Sequence, residues 1–227
     1  MTNESNEYPI RSFVRRNRIT ARQGQALEHF WPTFGLTVAN GPLDPIQAFS
    51  RSAKLVFEIG FGMGDSLISM ATAHPEIDYL ATEVHRPGVG ALLAAIADAG
   101  IENIRIYQED AISVLTHCIK NKNIDAIQIF FPDPWPKRNH HKRRLIQPSF
   151  LDLITPKLKP SGHLHLATDW EDYAKHMMKV LTAHAGFENA AGEGQFLKNA
   201  PLRPTTKFER RALRLGHPIW ELLFLKI

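Results

Sequence analysis

The alternation of short β-rich runs with helical patterns from Lys54 onward constrains the fold of this chain more than any other feature. The runs are KLVFEIGF (54–61), DYLATEV (78–84), NIRIYQE (103–109), DAIQIFF (125–131), GHLHLAT (162–168) and IWELLFL (219–225). Helical patterns fill the intervals at Ser66–Ala73, Val89–Asp98, Ala111–Lys120, Pro148–Lys157 and Glu171–Ala185. Antiparallel strands can be joined by a tight turn, whereas parallel strands need a crossover of a dozen or more residues, usually a helix. The alternation therefore predicts an α/β architecture, a doubly wound and mostly parallel sheet with helices on both faces. No internal repeat or low-complexity segment interrupts it.

The first 50 residues read differently. Residues 1–22 are polar and basic and form an arm, and 23–50 hold a short helical pattern and a connection punctuated by Trp31-Pro32, Gly41-Pro42 and Asp44-Pro45. The expected organisation is an arm with a helical extension over 1–50 and one domain over 51–227, with an insertion near 197–217. A length of 227 residues suits one medium domain with a full core. The single cysteine, Cys118, excludes an internal disulfide, offers no zinc cluster and points to a reducing compartment. The opening MTNESNEYP is too polar for a signal peptide, and no apolar run approaches the roughly 20 residues that span a bilayer. The expectation is a cytoplasmic protein without membrane or metal.

The net charge of +4 says little, but its distribution says more. Arg11, Arg15, Arg16, Arg18 and Arg22 form one cluster, Lys137, Arg138, Lys142, Arg143 and Arg144 a second, and Arg203, Lys207, Arg210, Arg211 and Arg214 a third. These clusters hold 15 of the 27 Lys and Arg residues, in three windows whose one acid is Glu209. Cations without compensating acids repel one another unless a polyanion is bound, so nucleic acid is the leading partner class.

The first strand ends in FEIGFGMGDS, with the spacing Gly60-x-Gly62-x-Gly64. Ligands in doubly wound folds bind at the carboxyl ends of strands, where glycines let them approach the backbone. A dinucleotide fingerprint would need a last glycine where this chain has Asp65, an acid placed badly for a pyrophosphate. The run is instead similar to the first motif of class I S-adenosylmethionine-dependent methyltransferases. Two further acids close the next two strands. Glu83, 19 residues after Gly64, is placed to accept ribose hydroxyls, and Asp110 is placed to meet an adenine amine or to cap the following helix. Carboxylates at these strand ends suit a cationic nucleoside without phosphates.

The fourth strand delivers Pro132-Asp133-Pro134-Trp135 to the same edge. Each proline fixes its own φ and biases the residue before it toward an extended conformation, so Asp133 is expected to be rigidly framed. Trp135 offers a face on which a base stacks. With RSFVRR, EIGFGMG, EVHRPGVG, FPDPWPK, HKRRL, ATDW and RPTTKFERRALRLGHPIW in one order, the chain resembles the bacterial tRNA (guanine-N7-)-methyltransferase family from Arg11 to Trp220. Pro136 before Lys137 and Arg16-Asn17-Arg18, which lacks a glycine, depart from the usual pattern.

The resemblance implies a Rossmann-like sheet of seven strands and transfer of a methyl group from S-adenosylmethionine to guanine N7 of tRNA, at position 46 of the variable loop. It implies that Glu58, Gly60, Gly62, Glu83, Asp110 and Asp133 hold the cofactor and that Asp133 is catalytic. Lys137, Asp169, Thr206, Lys207, Phe208 and Glu209 would contact substrate. Asn139, His140, His141, Lys142, Arg143 and Arg144, with Arg15, Arg16 and Arg18, would contact RNA. No obligate protein partner is implied, and the chain is expected to be a monomer or homodimer. From the residues alone, Asp169 also reads as a cap for the helix starting near Glu171, and Glu209 as the ion-pair partner of an arginine. His140 and His141 lack metal-ligand spacing. Two rival functions are a methyltransferase of an exocyclic amine or small molecule, and a non-catalytic RNA-binding protein.

Overall fold

The computed structural model describes residues 18–198 and 203–227, the side chains of Lys207 and Phe208 excepted. Arg11, Arg15 and Arg16 of the predicted arm lie outside the described residues. Strand β2 (Lys54–Ile59) lies at the middle of the sheet and is buried after its first residue, which explains its nearly unbroken apolar run. It pairs in parallel with β3 (Ile77–Thr82) on one side and β5 (Ile124–Phe130) on the other. Beyond β3 come β4 (Ile104–Tyr107) and the two-residue β1 (Gly35–Leu36), both parallel. Beyond β5 lies β6 (Leu158–Thr168), parallel, then β8 (Trp220–Lys226) and β7 (Phe187–Asn189), both antiparallel. The spatial order is β1-β4-β3-β2-β5-β6-β8-β7, a doubly wound and mostly parallel sheet as expected. It has eight strands rather than seven, because residues before the main alternation add β1 at one edge.

The side-chain period of two sends neighbouring residues of β2 to opposite faces. Val56 joins the core formed with α1 (Ala21–Phe34), α3 (Asp65–Ala73) and α4 (Arg86–Ala99). Leu55 and Phe57 join the core formed with α5 (Ala111–His117), α6 (Pro148–Ile154) and α7 (Glu171–Thr182). Two short helices complete the described chain, α2 (Pro45–Phe49) and α8 (Lys207–Arg214). Ala26 and Phe34 of α1 are buried in the first core. Among the described residues, no helix is long and apolar enough to cross a membrane.

Boundaries moved where capping outweighed periodicity. Helix α4 starts at Arg86, three residues before the apolar pattern, because Pro87 occupies its first turn where a missing N–H costs nothing. Helices α5 and α6 each stop three residues short of the pattern. The carbonyl of Cys118, just past α5, accepts the N–H of Leu43 at 2.8 Å and so belongs to a tertiary contact. Helix α1 runs through Pro32 into its last turn, where the sequence suggested a connection.

Candidate active site

The carboxyl ends of β2, β3, β4 and β5 open onto one cleft of about 250 Å³. Gly60 and Gly62 line it from the β2 turn, Glu83 from β3, Glu109 from β4, and Asp133 and Trp135 from the segment after β5. Gly60, Gly62 and Gly64 all have positive φ, at +77°, +63° and +86°, a region open to glycine at no steric cost. A Cβ on Gly60 would meet nothing within 4 Å, so the turn leaves open space beside its backbone. Gly88 has the opposite role: a Cβ there would lie 2.0 Å from the Gly62 carbonyl oxygen, so the start of α4 supports the turn by close approach.

Glu83 is held by that turn. Its carboxylate accepts N–H bonds from Gly62 and His85, each at 2.9 Å. A carboxylate offers about four acceptor sites, so this one is oriented and keeps capacity toward the cleft. At the end of β4 the cleft takes Glu109 and Ala111, while Asp110 between them caps α5 by accepting the Ile112 N–H at 2.9 Å. Glu109 escaped the sequence reading because its neighbour had the more obvious capping position. It accepts the Val38 N–H at 2.7 Å and the Thr37 hydroxyl at 3.2 Å, which fastens the segment after β1 to the cleft wall.

Glu58 occupies a smaller hollow that shares Gly60, Phe130 and Phe131 with the cleft and also takes in Ser66 and Thr206. The residue is 3 % exposed, and among the described residues neither Glu58 Oε2 nor the buried Ser66 hydroxyl has a hydrogen-bond partner. Burial pushes the Glu58 carboxyl up to about 8, against the pull of the Arg203 guanidinium. A buried carboxylate without a partner is expensive, so the geometry favours a cationic group with N–H donors in this hollow.

Asp133 contrasts with it. The residue is exposed, and among the described residues none makes a hydrogen bond or ion pair to its carboxylate, Lys137 included. Two of the three residues that precede a proline in this segment are not extended. Phe131 before Pro132 and Trp135 before Pro136 have φ of +54° and +45°, conformations that cost on the order of 1–3 kcal/mol each. One face of Trp135 is covered by the Arg143 guanidinium, 5.0 Å from the ring centroid, and His140 meets the ring edge-on.

The basic run divides. Lys137, Arg138, Asn139, Lys142 and Arg143 are exposed around a 3-10 turn over Arg138–Arg143, with His140 and His141 half-buried. Arg144 is a correction to its predicted RNA contact, because its side chain is 1 % exposed and points inward. It donates to the Pro134 carbonyl at 2.9 Å, pairs with Asp172 and stacks on Tyr173 at 4.9 Å. Arg18 is exposed at the start of the described chain.

In the C-terminal segment, Thr206 caps α8 reciprocally with Glu209. Glu209 also accepts from Arg203 at 2.5 Å, the ion pair that its neighbours in sequence allowed. The Arg203 side chain is buried, bonds to Glu221 at 3.1 Å and lies over Phe130 and Phe131. Glu221 in turn meets His165 at 2.6 Å. This ionic group brings Thr206 against the Glu58 hollow. Asp169 caps nothing: the residue before α7 is Trp170, which has no side-chain cap bond. Lys207 and Phe208 lie on α8 with their side chains outside the description.

A family model described as "Putative methyltransferase" matches residues 52–222. The chain is 50 % identical over 225 residues, 99 % of its own length and 98 % of the other, to a tRNA (guanine-N(7)-)-methyltransferase of Saccharophagus degradans. It is 52 % identical to the protein of that name from Alcanivorax borkumensis, across 96 % of this chain and 91 % of the relative. Among solved structures it is similar in fold to the 16S rRNA methyltransferase KamB, with a TM-score of 0.59, 17 % identity and coverage of 79 % and 91 %. TrmN from Thermus thermophilus is similar in fold with a TM-score of 0.54, at 17 % identity and coverage of 80 % and 48 %.

Proposed function

The chain belongs to the tRNA (guanine-N(7)-)-methyltransferase family, and from that premise we propose that it methylates N7 of a guanine in tRNA, at position 46 in the variable loop, with S-adenosylmethionine as donor. The observation that carries the proposal is a pair of unlike carboxylates at neighbouring strand ends. Glu58 is buried in the smaller hollow with its Oε2 unpartnered among the described residues, and Asp133 stands exposed on the rim of the adjoining cleft. The first suits the ammonium end of the donor. The second suits a base that arrives from solution.

When bound, S-adenosylmethionine supplies an electrophilic methyl group on a sulfonium. Glu58 and the Ser66 hydroxyl would hold its amino-acid end, Glu83 would accept from its ribose, and Asp110, beside Glu109 and Ala111, would meet the adenine amine. Guanine N7 carries an in-plane lone pair and no proton, so no general base is needed. Asp133 accepts from guanine N1–H and the exocyclic amine, which selects guanine over adenine and aligns N7. The same carboxylate stabilises the positive charge that develops on the ring. Most of the rate then comes from holding nucleophile and methyl in line. Lys137, Asp169 and the residues Thr206, Lys207, Phe208 and Glu209 meet the substrate around the base. The exposed cations Lys137, Arg138, Lys142, Arg143 and Arg18 take the phosphates, and Asn139, His140 and His141 add polar contacts.

The test incubates the protein with bulk tRNA and labelled cofactor and maps modified bases by mass spectrometry. Label on guanine N7 at one position of the variable loop is the expected result. Label on adenine, on cytosine or on an added small molecule, or none at all, would overturn the assignment.

A further inference from the structure

Arg144 sits in the most basic stretch of the chain, yet its side chain is 1 % exposed and its guanidinium is engaged through Nε, through Nη2 and through its face. Nε donates to the carbonyl of Pro134, the residue next to Asp133. Nη2 reaches Asp172 in the first turn of α7 and lies 3.0 Å from His141 Nε2. The plane rests on Tyr173, whose hydroxyl accepts the Ile146 N–H at 3.2 Å. Arg144 therefore links the Asp133 loop, the 3-10 turn of the basic run and the start of α7.

That loop needs such a link. Phe131 and Trp135, both in the left-handed region, bracket Asp133, and strained conformations persist only where surrounding contacts over-determine them. Helix α7 continues from β6, which is paired in register with β5, so Asp172 refers the loop to the sheet. Its carboxyl is held below the usual range, first by the hydrogen bond from Arg144, and its side chain is otherwise 63 % exposed.

We propose that Arg144 and Asp172 form a clamp that fixes the position of the Asp133 carboxylate, making Arg144 a positioning residue rather than an RNA ligand. Through His141 the clamp also joins the turn that carries Lys142 and Arg143, so RNA seated on the turn meets a carboxylate already set in place. The inference rests on the role proposed for Asp133. If wild-type protein methylates tRNA and Asp133→Asn does not, that role stands, and the clamp succeeds or fails separately.

Three variants test it, read by turnover, by tRNA binding and its salt dependence, by cofactor affinity and by melting temperature. Arg144→Lys keeps the charge but loses the planar fork that spans Pro134 and Asp172. Asp172→Asn alters an exposed residue and keeps the fold. Both should lower kcat, about 30-fold or more for Arg144→Lys and about 5-fold for Asp172→Asn, with the KM for tRNA and the calorimetric affinity for S-adenosylhomocysteine changed less than twofold. The slope of log affinity for tRNA against log salt should match wild type, whereas Arg143→Ala, which removes an exposed cation, should flatten it. Unchanged kcat in both variants would overturn the clamp. A raised KM with a flatter salt slope for Arg144→Lys would make it an RNA ligand, and parallel loss of cofactor affinity and melting temperature in both variants would make the pair merely structural.

Discussion

The turn after β2 and the segment after β5 lie on adjacent strands of one sheet and face one cleft, yet they are held in opposite ways. The β2 turn is built from backbone: three glycines at positive φ need no side chain to hold them, and Gly88 closes on Gly62 from behind. The β5 segment is flanked by side chains: of its two aromatic residues at positive φ, Trp135 stacks with Arg143 and Phe131 lies under Arg203, while Arg144 bonds to the Pro134 carbonyl between them. The acid of the first region is buried with one oxygen unpartnered among the described residues, while that of the second is exposed. The proposed function assigns binding to the first region and reaction to the second. Under the proposed function, the first region receives a small cation, and the second presents a charge to a macromolecule.

Asp133→Asn tests the second region most severely. It should lower single-turnover methylation by about 10²–10³-fold, the usual loss for a preorganised electrostatic group, while calorimetric cofactor affinity stays within twofold of wild type. Equal losses in both would erase the distinction between the regions. Glu58→Gln should do the reverse, weakening the cofactor by about 10- to 100-fold as a charged hydrogen bond is replaced.

The pH dependence of Glu58 sharpens the comparison. In the ligand-free fold its carboxyl titrates near 8 instead of 4.5, so between those values the folded protein keeps a proton that the unfolded chain has released. Stability from this group is therefore full at low pH and is lost as pH rises through the window. Thermal melts of ligand-free protein should fall from about pH 5 to pH 8, and Glu58→Gln should flatten that decline. Cofactor binding at pH 7 should release a proton, visible as a calorimetric enthalpy that varies with the ionisation heat of the buffer.

Smaller effects probe the supports. Gly88→Ala forces a methyl against the Gly62 carbonyl and should cost about 1–3 kcal/mol of stability, with cofactor affinity lowered along with it. In the β5 segment, Arg143→Ala should cost only about 0.5–1 kcal/mol in denaturant unfolding, because it removes a stacked cation at an exposed site. A larger penalty for Arg143→Ala than for Gly88→Ala would reverse the ranking of the two regions.

Sequence periodicity carried the centre of this fold and faded at its edges. Strands β2, β3, β5 and β6 are long apolar runs flanked by glycine, proline or acids, and those signals are local. Strands β1 and β7, of two and three residues, are too short to leave a period and exist because a neighbouring strand offers them an edge. In the site, glycines and strand-end acids were legible because their roles follow from position along the chain. Arg144 was not: five cations in eight residues look alike in sequence, and only the packing of α7 decides which one turns inward. Glu109 was missed for a similar reason, since its contact with Thr37 and Val38 spans about 70 residues. The left-handed Phe131 and Trp135 run against the usual preference of residues before proline, and no local rule foretells them.

The strand order has a consequence for synthesis. The last strand in chain order, β8, lies inside the sheet between β6 and β7 rather than at its margin. While the chain emerges from the ribosome, β7 has no neighbour to pair with, and His165 and Arg203 lack the Glu221 that later joins them. Arg203 lies over Phe130 and Phe131 with Glu209 and Glu221 as its acids, so a chain that ends before residue 221 lacks one of the two carboxylates that hold that cation. Vectorial production thus leaves β7 unpaired, and the His165–Glu221–Arg203 group unmade, in every partial product that ends before β8.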